Sequence, residues 1–131
     1  MTGSEVMTRL LTLTEPPDAV FCYSDLLAFG AMRTVLSRGL RVPEDIAIVG
    51  FDGTEGGIYS TPTLSTVAPD KEEIAQLAVD TLLDRLDTGG AADRPPVQVP
   101  ASYRLEVRES SAAAPSVPPL AATPSDHEGL S

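Results

Sequence analysis

A single histidine, a single cysteine and nine basic residues against nineteen acidic ones remove several kinds of protein from consideration. One cysteine, Cys22, cannot form an internal disulfide framework, and within an apolar run it reads as a core residue. The only histidine, His127, falls in a proline- and alanine-rich terminal stretch, so neither histidine catalysis nor a His/Cys metal site is expected. The net charge of −10 argues against direct DNA binding by these residues, because phosphate contacts need clustered Lys and Arg. No uninterrupted apolar run reaches the ~18 residues of a membrane span. The opening MTGSEVMTRLLTL has a polar, acidic start and no small-residue cleavage site, so it does not read as a signal peptide. A cytoplasmic protein of one domain or less is the expectation, without cofactor or membrane partner.

What remains is an alternation of helical and extended patterns. Residues 4–13 read as a short helix with Val6, Leu10 and Leu13 on one side, stopped by Pro16 and Pro17. Residues 19–23, AVFCY, read as a buried strand. Ser24 can cap a helix over 25–38, with Leu26, Phe29, Met32 and Leu36 as its stripe and Gly39 as its stop. IAIVG, residues 46–50, reads as a second buried strand, which completes a strand–helix–strand unit of a parallel sheet. A glycine-rich segment and a short strand, LSTV, follow. Asp70 with Glu73 forms a capping-box pattern for a long helix to about residue 87, with Ile74, Leu77, Ala78, Leu82 and Leu86 as its stripe and Gly89-Gly90 at its end. Residues 97–99 and 103–107 read as two further strands, and 111–131 as a disordered tail.

In open parallel sheets ligands sit beyond the carboxyl ends of the strands. Two such ends are visible, Tyr23-Ser24-Asp25 and Gly50-Phe51-Asp52. An ionised Asp52 offers two acceptor oxygens for adjacent hydroxyls, Ser24 offers a hydroxyl beside helix N–H groups, and Phe51 offers an apolar face. Each has a plainer reading: Ser24 as an ordinary cap, Asp52 as the brace of an Asx turn, and Phe51 as core. The glycines at 53, 56 and 57 lack the GK[ST] of a phosphate loop. Asp52 and Glu55 have no nucleophile nearby, so no catalytic residue is assigned and the chain is not read as an enzyme.

The run PDAVFCYSDLLAFGAMRTVLSRGLRVPEDIAIVGFDGTEGGIYSTPTLSTV and the ending SYRLEVRESS resemble the sensor domain of the lactose/galactose repressor family. The family motifs P-x-A-[VI]-x-x-x-N-D, G-[FY]-D, P-x-L-[TS]-[TS]-[VI] and L-x-[VI]-R-x-S-[ST] follow in order over residues 3–111. The resemblance implies an α/β fold, a partial periplasmic-binding-protein-like (type I) sensor with parallel βαβ units, truncated at its N-terminus. It implies a small-molecule effector, a carbohydrate first of all, bound in a cleft between two subdomains through Asp52, Ser24 and Phe51. The family's usual asparagine is Ser24 here. Residues 1–67 and 103–110 are expected in the C-terminal subdomain and 68–102 in the N-terminal one. A homodimer is implied through Phe29, Met32, Tyr59 and Ser60, with operator DNA held by a helix-turn-helix that these residues do not contain. A solute-binding fragment of a sugar transporter is the alternative, and a purely dimerising fragment a third reading. The helix after Asp70 would lack its usual partners, so marginal stability or self-association is expected.

Overall fold

The computed structural model describes residues 1–87 and 95–112. The expected Gly89-Gly90 stop, His127 and residues 113–131 of the expected tail lie outside them. The elements follow as α1 (Gly3–Leu10), β1 (Ala19–Phe21), α2 (Asp25–Ser37), β2 (Ala47–Phe51), α3 (Gly56–Tyr59), β3 (Ser65–Pro69), α4 (Lys71–Asp87) and β4 (Tyr103–Glu106). The four strands form one sheet in chain order. β1, β2 and β3 are parallel, and β4 runs antiparallel to β3.

The first helix opens one residue early because Thr2 and Glu5 make a reciprocal capping box: each backbone amide donates to the other's side chain. It closes at Leu10 rather than 13. Thr12 turns its amide and its hydroxyl onto the Arg9 carbonyl and so ends the helical ladder. The second helix starts as expected, with Ser24 Oγ accepting from Leu27 N at 3.3 Å.

Its buried face differs from the expected stripe. Ala28, Ala31, Met32 and Val35 are buried, while Leu26 is 78% exposed and Leu36 is exposed too. The small residues face inward because α1 crosses α2 backbone to backbone. A Cβ on Gly3 would lie 1.9 Å from the Leu27 carbonyl oxygen. Ser4 and Thr34 share a hydroxyl–hydroxyl bond of 2.7 Å at the same crossing.

The sheet has one covered face. Ile48, Gly50, Thr66 and Ala68 point toward the helices and are buried, and they join Met7, Cys22, Ile46 and Leu64 in or beside the core. The alternate positions are half-buried, except Ser65, which is fully buried under the closing turn. The AVFCY segment is therefore not a buried strand: β1 is the edge of this sheet, and Phe21 is 56% exposed. Cys22, on the covered face, has its thiol pushed upward in pKa by burial.

The ending VRESSA locks the base of the sheet. Ser110 is fully buried; its hydroxyl donates to the Ile48 carbonyl at 2.6 Å and accepts from Ser65 N at 2.8 Å. Its own amide donates to Thr63 O, and its carbonyl accepts from Ile48 N. Arg108 donates to Leu64 O, and Glu109 accepts from both the amide and the hydroxyl of Thr63. Ser111 and Ala112, at the start of the expected tail, still belong to this turn through Ser65 Oγ and Arg108 O.

Residues 97–99 form no strand, for their neighbours Pro96 and Pro100 bracket a segment that makes no ladder. The last long helix keeps its Asp70 cap on Glu73 N. Glu73 does not return the bond; its carboxylate accepts from Ser102 N instead. No residue of α4 is buried.

Candidate functional site

The carboxyl ends of β1 and β2 lie side by side, and the site residues named from sequence emerge from them. Ser24 ends the β1 turn with its hydroxyl half-buried at the start of α2. Phe51 is the last residue of β2, and Asp52 follows it directly. Phe51 lines a cavity of about 230 Å³ with Val67, Pro69, Ala101, Ser102 and Tyr103.

Asp52 has φ 115°, the one non-glycine residue with positive φ among those described. That backbone is strained for an L residue and persists only where neighbours hold it. They do hold it: Asp52 N donates to Val67 O at 3.0 Å, and Gly53 N to Thr66 Oγ1 at 3.2 Å. Thr54 N and Thr54 Oγ1 both donate to Asp25 Oδ2, at 2.6 and 2.8 Å. The Asp52 carboxylate has no hydrogen bond or ion pair among the described residues, so the Asx-turn reading does not describe it. Both carboxylate oxygens are free to accept from hydroxyls or amines.

Asp25 was missed as part of the site. It is wholly buried, yet in the sequence it stands only as the last residue of the Tyr23-Ser24-Asp25 strand end and the start of a helix. Its partners Thr54 and Thr66 lie far along the chain, so only the folded structure shows the contact. The SD…GFDGT…ST spacing is the one signal that would have pointed to it.

Phe29, Met32 and Ser60, expected at a dimer contact, line one groove of about 530 Å³ with Arg33, Leu36, Ser37 and Thr61. Met32 is only its floor, because its side chain is 4% exposed and belongs to the core. Ser60 Oγ is turned inward onto the carbonyls of Gly57 and Pro62. Tyr59 is exposed, its hydroxyl on Glu55. The loop that carries it contains α3, a short helix not expected from the glycine-rich sequence.

Among the described residues no helix is long and apolar enough to cross a membrane. None of them form a cluster of three or more potential metal ligands.

The fold and the strand-end site define a class, a periplasmic binding protein-like domain, and the model of that family matches residues 2–111. The chain belongs to this family, as a sensor domain of the lactose/galactose-repressor kind. It is 44% identical over 84 residues to the HTH-type transcriptional repressor CytR of Escherichia coli K12, covering 64% of this chain and 25% of the repressor. It is 48% identical over 81 residues to the probable HTH-type transcriptional repressor ExuR of Bacillus subtilis, covering 62% and 24%. The chain thus spans about a quarter of the length of these relatives.

Among solved structures, a putative LacI-family regulator from Sanguibacter keddieii is 42% identical with a TM-score of 0.75, over 82% of this chain and 40% of that one. The transcriptional regulator CelR in complex with cellobiose is 35% identical with a TM-score of 0.74, over 83% and 32%. A LacI-family regulator from Lactobacillus casei with bound glucose is 31% identical with a TM-score of 0.68, over 83% and 38%. These relatives are regulators of transcription, not enzymes, and the transporter alternative is not favoured.

Proposed function

We propose that the chain is the effector-sensing part of a cytoplasmic transcriptional regulator whose effector is a small polyhydroxylated molecule, a sugar. The observation that carries this reading is the unpartnered Asp52 carboxylate on strained backbone at the carboxyl end of the parallel sheet. A carboxylate so placed accepts from two adjacent hydroxyls, while Phe51 meets an apolar ring face and the Ser24 hydroxyl adds one short polar contact. Regulators of the same fold hold glucose and cellobiose in solved complexes, which supports a carbohydrate as the first choice.

The remaining roles follow from the same reading. β3 leaves the C-terminal subdomain (residues 1–67 and 103–110), α4 belongs to the N-terminal one (68–102), and β4 returns. The antiparallel β3–β4 pair and the unburied α4 support this division. Half of the cleft would then come from chain beyond these residues, so binding here is weak. The surface formed by Phe29 of α2 and Tyr59 of α3 serves a homodimer. Operator DNA is contacted by a helix-turn-helix of the parent protein, the module named in its relatives. Effector binding shifts the population of sensor geometries and thereby DNA affinity.

Calorimetric titration with glucose, ribose and cellobiose tests the site. At least one sugar is expected to bind, and Asp52→Asn to weaken it by about tenfold or more, the loss of a charge-assisted contact. Equal affinity in the variant would remove Asp52 from the site.

A further inference from the structure

The turn that carries Asp52 is clamped from beneath by a single buried carboxylate. Asp25 Oδ2 accepts from the amide and the hydroxyl of Thr54, and Asp25 Oδ1 accepts from the Thr66 hydroxyl at 2.7 Å. That same Thr66 oxygen accepts from Gly53 N. We propose that Asp25 is the positioning residue of the effector loop: it touches no ligand, and it sets the direction of the Asp52 carboxylate. The proposal rests on the reading of Asp52 as an effector contact.

Three consecutive amides are fixed by this arrangement. Asp52 N is held by β3 directly, Gly53 N by β3 through Thr66, and Thr54 N by the start of α2 through Asp25. Asp52 is the residue whose φ of 115° a free chain would not keep, and it opens this clamped run. Gly50 completes the device. A Cβ there would stand 2.3 Å from Asp25 Oδ1, so only glycine lets the carboxylate reach beneath β2. Since Asp25 directly follows Ser24, the brace also ties the two strand ends that face the ligand. Three donors on one buried carboxylate are charge-assisted and strong, and losing one leaves a buried oxygen or N–H unmatched.

A residue that merely stabilised the fold would give a different signature from one that positions this loop. The test is amide hydrogen exchange by NMR on the 131-residue chain, its Asp25→Asn variant and its Thr66→Val variant, the last nearly isosteric and able to pack. Gly53 and Thr54 are expected to exchange about tenfold faster or more in Asp25→Asn, and Gly53 likewise in Thr66→Val. Ile48, whose amide donates to Ser110 O, and Cys22, whose amide donates to Val49 O, are bonded away from the brace and are expected to keep their rates. Unchanged rates at Gly53 and Thr54, or an equal acceleration at Ile48, would overturn the proposal.

Should Asp25→Asn fail to fold, the Thr66→Val comparison decides alone. Glucose, ribose and cellobiose are titrated into the same samples. A sugar that binds the parent chain is expected to bind Thr66→Val at least about tenfold more weakly; equal binding with a loosened loop would also overturn the proposal. If no sugar binds the parent chain and the exchange pattern appears, the sugar reading fails while the brace stands.

Discussion

Asp52 and Asp25 show how two carboxylates 27 positions apart divide one task between exposure and burial. The former is half-exposed and without a partner; the latter is wholly buried with three donors. Gly50 lies against the buried one, and Gly50→Ala is expected to destabilise the chain by about 1–3 kcal/mol, the range for overpacking a tight site. A urea-unfolding midpoint checks it; an unshifted midpoint would mean that Asp25 can move aside at no cost.

Two other carboxylates make stability depend on acid. Asp45 is pulled down to about 2 by hydrogen bonds from the side chain and then the backbone of Arg41. Glu109 is lowered by the backbone amide and then the hydroxyl of Thr63. Both favour the ionised form in the folded state, so their contribution is complete above the ordinary carboxylate range and is lost as pH falls through it. For Asp45 the loss runs from about 4 down to about 2. Melting temperature is expected to fall across that window, and Asp45→Asn to flatten part of the fall. Asp52 and Ser24 stand out in the sequence as candidates because Asp52 directly follows β2 and Ser24 opens the helix after β1, and strand ends are where such sheets bind. Asp25 was not, because burial of a carboxylate is decided by residues 29 and 41 positions away.

The elements were legible where local chemistry sets them and illegible where packing does. Ser24 before an apolar periodic run announces α2, and the helix begins there. Which face it buries depends on α1, which crosses so closely that alanines, not leucines, turn inward. Gly3→Ala is therefore expected to force the helices apart, lowering stability by at least about 1–3 kcal/mol, again read by urea midpoint. A neutral outcome would show the crossing to be looser than 1.9 Å implies. The closing VRESS segment was recognised as a motif, and its physical reason is the seam that Ser110 makes across β2 and β3. Ser110→Ala strands Ser65 N and Ile48 O in a buried place and is expected to cost about 1–3 kcal/mol per unmatched group. Protease resistance of the segment after Arg108 would fall with it. The 97–99 strand failed because alternation between prolines cannot substitute for a neighbouring strand.

The molecule as a whole is a sheet with one face covered. Parallel strands are normally buried on both sides, yet Phe21 of β1 stands exposed, as do Tyr103 and Leu105 on the antiparallel β4 and Ile74, Val79, Leu82, Leu83 and Leu86 on α4. Each large apolar side chain gains ~1.5–3 kcal/mol when fully buried, so these surfaces favour association. Sedimentation velocity is expected to show concentration-dependent self-association, reduced by Phe29→Asp if the α2 groove is its seat. A monomer at all concentrations would contradict that expectation. The family and the parallel sheet were legible because their motifs are local runs in fixed order. The uncovered α4 was expected as well, whereas the open face of the sheet was not, since which side of a strand is covered is decided by packing rather than by local runs.

If the end of the parallel sheet around Asp52 receives a polyhydroxylated effector, that effector stabilises the folded chain. Thermal unfolding of the chain and of Asp52→Asn, alone and with glucose, ribose or cellobiose, tests it most directly. Ligand at ~100 times its dissociation constant adds about 2.7 kcal/mol to the folded state, which moves a cooperative melt visibly. A melt raised by at least one sugar in the parent chain and not in the variant is expected. A melt raised equally in both, or raised by none of the sugars, would contradict it.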